Sequence, residues 1–269
     1  MYASEPKTIG GVLDAGFALY RAGFRTVTLT AAKGFGVVFA IEVVLQLVFG
    51  VSSASLNSTM DPDDIDPTEL FTYLASLPFT LVVMFVTFAA ITLHLHRIAL
   101  GEADAGEGIY LAGLKRLPAY LGAIILYTLA MFLGLLLLIL PGIWASVAFL
   151  LAYYVVITEK LGPIDSMSRS YQLVKGNWWR SATVLLVAFI VVMVIQSGVV
   201  TIPAFITGFM AASGEEIGTL WLLVLNFLTA VGQSLSVPLL TAMMLALIHD
   251  LSLRRSGEDL EARLEAAGS

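Results

Sequence analysis

Six long apolar runs separated by short polar connections dominate the pattern of this chain. They cover residues 34–55, 71–95, 119–140, 143–158, 182–209 and 219–248, and within them apolar residues occur on all sides rather than on one stripe. A helix that is apolar all round is either the centre of a large core or a membrane span. Most of these runs reach or exceed the ~20 residues that cross the hydrocarbon layer, so six transmembrane helices are expected. Pro141-Gly142 predicts a tight turn between the third and fourth. The fifth and sixth run to nearly thirty residues, and Pro203 and Pro238 predict tilt or kinks there.

Three amphipathic stretches stand between or before these runs. In residues 8–27, Leu13, Phe17, Tyr20 and Phe24 share a helical face, with Asp14, Arg21 and Arg25 on a stripe beside it. A shorter stretch ends at Lys115 and Arg116. The third, 159–181, is opened by Pro163, a favourable first-turn residue, and aligns Ile164, Met167, Tyr171, Val174 and Trp178. Arg169, Gln172, Lys175 and Arg180 fall elsewhere, and the Trp178-Trp179 pair marks a boundary. An apolar face with basic flanks and indoles predicts a helix lying in the membrane interface. The order of interfacial helix, span out and span back then recurs three times. Placing Arg21, Lys115 and Lys175 in register also aligns Phe17, Leu111 and Tyr171, and sets Phe24 opposite Trp178, with Pro118 at that place in the middle copy. The alternative is that basic inner loops merely look alike. The expected fold is an all-α integral membrane protein, with six transmembrane helices and three interfacial helices, in three repeats over residues 1–255. Residues 256–269 are expected as a short tail.

Composition agrees. Hydrophobic residues make up 58% and charged residues 13%, with a mean hydropathy of +0.91; a soluble domain carries roughly 45–50% and about 25%. Cysteine is absent, which excludes disulfides and thiolate chemistry. The net charge of −6 hides an uneven map. All 14 Lys and Arg lie before the first run, between the second and third, between the fourth and fifth, or after the sixth. The other three connections carry Asp61, Asp63, Asp64, Asp66, Glu69, Glu215 and Glu216 and no base. By the positive-inside rule, both termini and the three interfacial helices face the cytoplasm. The opening MYASEPKTIGG lacks the pattern of a removable leader.

Three segments carry a family resemblance: LYRAGF near the start, LPGIWASVAFLLAYYVVITEKLGPIDSMSRSYQLVKGNWWR in the middle, and IHDLSLRRSG after the last run. Together they resemble the membrane domain named for glycerophosphoryl diester phosphodiesterases and the related YciC-like inner-membrane proteins. The resemblance implies a multi-span module of a bacterial cytoplasmic membrane that precedes a soluble hydrolase in some members. The residues after Arg255 are too few for such a hydrolase, so the activity does not come with the resemblance.

Candidate chemistry inside the membrane is sparse. A charged residue near the centre costs on the order of 2.5–3.5 kcal/mol on insertion scales, which singles out Glu42. Counted from Lys33, Glu42 lies ~13 Å deep, with Gln46 one turn further on the same face. Gln196 and Gln233 both lie ~24 Å from their basic ends, so a polar seam joining spans one, five and six is geometrically possible. It serves either helix packing or the passage of a proton, ion or substrate. His94 and His96, two residues apart, point opposite ways on a helix and do not make a metal site. The acidic run Asp61 to Asp66 lacks the glycine and closing glutamate of an EF-hand loop. Neither a nucleophile with its base nor a phosphate loop can be assembled, so no enzyme, cofactor, metal or nucleic-acid partner is expected. Headgroup contacts are expected from Arg21, Arg25, Lys115, Arg116, Arg169, Lys175, Trp178, Trp179 and Arg180. The expected function is a non-enzymatic module that interacts with membrane lipids, anionic ones among them, or scaffolds a membrane-protein partner or a second copy. The alternative is a small transporter or channel built on the seam around Glu42.

Overall fold

The computed structural model describes residues 5–50, 67–102, 106–213 and 218–268. The acidic run 61–66 and the acids Glu215 and Glu216 lie outside them, and the chain stays helical to Gly268. Among the described residues the structure is all helical: α1 Ile9–Phe49, α2 Pro67–Leu100, α3 Ile109–Leu137, α4 Ile139–Phe149, α5 Ala152–Thr158, α6 Pro163–Val174, α7 Trp178–Gln196, a π-helical turn Ser197–Thr201, α8 Ile202–Ala212, and α9 Thr219–Gly268. Six helical stretches are long and apolar enough to cross a membrane: Ile9–Phe49, Leu70–Leu100, Ile109–Leu137, Ile139–Thr158, Trp178–Met210 and Thr219–Gly257. The chain is a multi-pass membrane protein by this measure.

The three amphipathic stretches take different forms. The first is continuous with its span, because nothing between Thr26 and Lys33 stops a helix. α1 therefore runs for 41 residues, from the Thr8 cap, whose hydroxyl accepts from the Gly11 N–H, to Gly50. At ~1.5 Å per residue that is about twice the hydrocarbon thickness, so part of α1 must lie outside that layer. The second stretch is likewise the start of α3, which carries Pro118 without ending. Only the third is a helix by itself. α6 ends at Val174 and Gly176 takes φ +83°, a left-handed turn that residues with a Cβ adopt at a cost. Trp178 consequently opens α7 and does not extend the α6 face. On α6, Ser166, Ser170, Leu173 and Val174 are buried while Ile164 and Tyr171 are exposed. The Ser170 hydroxyl donates to the Ala148 carbonyl at 2.8 Å, which fixes α6 against α4.

The turn between the third and fourth runs falls at Leu138, in extended conformation, three residues before the expected place. Pro141 sits in the first turn of α4, where its missing N–H leaves no partner unsatisfied. Near the fifth run's proline the helix opens into the π turn at Ser197–Thr201, one residue before Ile202-Pro203. A proline removes one ladder hydrogen bond, and a π turn absorbs that loss.

Packing is uneven along the bundle. In α9, residues from Leu239 to Leu251 form the centre, packed with Val12, Leu151, Tyr154, Val155, Leu173 and Val184. A second cluster joins Leu19, Val27 and Phe35 of α1 to Ile91, Leu95 and Leu245. Lipid tails are as apolar as leucine, so close approach rather than water exclusion holds such helices together. Gly16 shows it: a Cβ there would lie 2.8 Å from the Met243 Cα. Away from this centre the helices expose their apolar sides, as at Leu136 to Leu140, Phe205 and Phe209.

Candidate functional site

Several of the basic residues gather into two places of different construction. The first is centred on Asp250 of α9, only 4% exposed. Its Oδ2 accepts from Arg180 Nε at 3.0 Å and Arg254 Nε at 3.0 Å, and its Oδ1 from the Lys7 backbone N–H at 2.7 Å. Arg254 Nη2 donates to the Lys7 carbonyl at 2.8 Å, and Arg180 Nη2 donates to the same oxygen. The peptide at Lys7 is thus held on both sides, and the chain before α1 is pinned to the start of α7 and the end of α9. A slot of about 30 Å³ lined by Glu5, Lys7, His249 and Asp250 has room for one water molecule.

The second place is a cleft of about 400 Å³ between the end of α2, the start of α3 and the end of α5. That is the size of a small-ligand site. Its charged lining is Arg97, Glu102, Arg116 and Lys160, with His96, and its apolar wall is Leu93, Leu100, Ala112 and Ile157. Arg97 faces Glu102 at 3.6 Å and donates to the Glu107 carbonyl at 2.7 Å. Arg116 donates to the Lys160 carbonyl at 3.0 Å, drawing α3 to the loop after α5. Lys160 has φ +57°, the only positive value at a non-glycine position among the described residues. Glu159 is occupied by Arg169, with hydrogen bonds of 3.0 and 3.2 Å to its two oxygens. Arg116 and Lys160 therefore stand side by side with no carboxylate paired to either among the described residues. The arrangement can bind an anion at the edge of an apolar surface.

The expected headgroup residues divide accordingly. Arg116 lines the cleft; Lys115, one residue away, is exposed. Arg169 and Arg180 are spent on Glu159 and Asp250, and Arg180 keeps only 15% of its side chain exposed. Arg21, Arg25 and Lys175 are exposed. Trp179 is 80% exposed, whereas Trp178 donates its Nε1–H to the Trp144 carbonyl at 3.2 Å.

The polar seam is split. Phe39 of α1 meets Phe227 of α9, with ring centroids 5.8 Å apart. Because α1 and α9 run antiparallel, Glu42 lies ~4–5 Å beyond that contact in one direction and Gln233 ~9 Å in the other. Gln196 lies against Gly232, beside Gln233 and away from Glu42. Nearer to Glu42 in depth is Asn226. Glu42 Oε2, Gln46 Oε1, Asn226 Nδ2 and Gln196 Oε1 are all buried without a hydrogen-bond partner.

Several residues escaped the sequence reading. Asp250 is one, although its spacing of four from Arg254 was a usable signal. Lys160 and Asn226 are others. His94, set aside as a ligand, is buried and shares a 3.0 Å hydrogen bond with Thr30 Oγ1. The Thr30 hydroxyl donates to the Thr26 carbonyl, which assigns the donor role in the His94 contact to Nδ1–H. Tyr110 donates to the Thr30 carbonyl at 2.5 Å, so one polar network joins α1, α2 and α3.

No curated protein and no solved structure matches the chain. A family match covers α3 through most of α9, and so includes Arg116, Lys160, Arg180 and Asp250. Residues 109–252, more than half of the chain, match the family described as a domain of unknown function, DUF7847, and the chain belongs to that family.

Proposed function

We propose that this protein is a non-enzymatic membrane module that binds the headgroup of an anionic lipid at its basic end. The observation that carries this reading is the cleft of about 400 Å³, lined by Arg116 and Lys160, neither paired to a carboxylate among the described residues, together with apolar side chains. A headgroup supplies the missing charge, and the first carbons of its tails suit Leu93, Leu100, Ala112 and Ile157. The exposed Trp179, Lys175 and Tyr171 fit a surface lying at headgroup level. The distribution of Lys and Arg favours a cytoplasmic placement of this end, and the family resemblance favours a bacterial cytoplasmic membrane. The test is native mass spectrometry of protein purified from a membrane rich in phosphatidylglycerol, cardiolipin and phosphatidic acid. Reversing both Arg116 and Lys160 to Glu is expected to remove most bound anionic lipid. Equal amounts and kinds of lipid on both proteins would overturn the reading.

A second reading rests on the orphaned atoms of Glu42, Gln46 and Asn226. Unpaired polar groups in a bilayer cost several kcal/mol each unless water or a ligand meets them. A small transporter using Glu42 predicts that Glu42→Gln abolishes proton-coupled flux in proteoliposomes without changing the fold. Unchanged flux would sink it.

A further inference from the structure

We infer that the ligand of the cleft is a phosphate monoester carried on a membrane lipid, held between Arg116 and Lys160. This rests on the headgroup reading above and narrows it. Arg97 pairs with Glu102 at 3.6 Å, and Glu159 pairs with Arg169. Two positive charges are left in the cleft, those of Arg116 and Lys160. They come from different parts of the chain, and a hydrogen bond holds the Arg116 guanidinium against the Lys160 backbone carbonyl. Like charges in one cleft repel, and neither has a carboxylate paired to it among the described residues. An anionic ligand would remove that repulsion. A phosphate monoester carries about −1.5 to −2 at neutral pH and presents three strong acceptor oxygens. A phosphodiester carries a single negative charge and leaves one of the two cations unmatched. The guanidinium suits two-oxygen contact with phosphate, while the ammonium acts as a point charge on a flexible stem. The hydrocarbon wall of Leu93, Leu100 and Ile157 offers a soluble phosphate nothing, and offers a lipid a place for its glycerol carbons.

The full-length protein in detergent is titrated with phosphatidic acid, phosphatidylglycerol, phosphatidylcholine and soluble glycerol phosphate, and bound species are counted by native mass spectrometry. Phosphatidic acid is expected to bind at least tenfold more tightly than phosphatidylglycerol, with the preference lost in Arg116→Gln and in Lys160→Gln and kept in Lys115→Gln. Thermal melting confirms that each variant is folded. Lys160 has an exposed side chain and carries the test alone if Arg116→Gln does not fold. Equal binding of the two anionic lipids, with both lost in the variants, overturns the monoester assignment and leaves the headgroup reading standing. Glycerol phosphate binding as tightly as phosphatidic acid overturns the lipid source. Binding that no variant changes overturns the assignment and the headgroup reading together.

Discussion

The Asp250 clamp and the Arg116–Lys160 cleft use the same side chains to opposite ends. In the clamp, two arginines and a backbone peptide surround a carboxylate that is 4% exposed, and the polar groups meet one another. In the cleft, a guanidinium and an ammonium stand with no acid paired to either among the described residues, beside about 400 Å³ of open space. The difference teaches that a basic residue near a membrane is read by its partner and not by its charge. Where a buried acid answers it, the residue holds the fold. Where none does, it is available to a ligand.

The comparison breaks first at Asp250. Asp250→Ala leaves Arg180 and Arg254 without their anion and frees the Lys7 peptide. Losing one partner of a buried pair costs about 3–5 kcal/mol, so the variant is expected to melt many degrees lower in detergent or to aggregate. A melting curve like that of the wild type would show the clamp to be ornamental. Arg254→Gln, at a side chain 30% exposed, removes one of the two arginines, and about 1 kcal/mol of stability is expected to go with it. Lys160→Glu sharpens the contrast from the other side. Melting should move by less than about 0.5 kcal/mol, as for a surface substitution, while bound anionic lipid falls severalfold. High salt should mimic that loss of lipid, since cleft charges open to water are screened, and should leave the clamp intact. The smallest effect is expected from Lys175→Gln, exposed at the end of α6 and outside both places. Neither melting nor lipid retention should change measurably, and a loss of lipid equal to that of Lys160→Glu would move the headgroup site to the α6–α7 junction.

The membrane class and the six apolar helices were legible because apolar runs of such length have few other uses. What the pattern did not carry was where helices stop. Residues 26–33 hold no breaker, so the amphipathic start of α1 and its span became one helix. Gly176 was a stop that periodicity alone, tracking Trp178 on the α6 face, passed over. The site was less legible because charge pairing is a tertiary fact. Arg180 and Arg116 look alike in sequence, each beside aromatic or apolar neighbours at the head of a span. Only the folded chain brings Asp250, seventy residues on, to one, and only the carbonyl of Lys160 to the other. The polar seam divides for a related reason. Depth counted from each basic end assumes upright helices with a common origin, and an α1 of 41 residues has neither.

The most direct test is a lipid-resolved structure of the full chain in nanodiscs containing phosphatidic acid and phosphatidylglycerol. The account predicts headgroup density between Arg116 and Lys160, with the tails leaving along Leu93 and Leu100, and no lipid density at Asp250. An empty cleft, with ordered headgroups bound instead against Lys175 and Trp179, would contradict it.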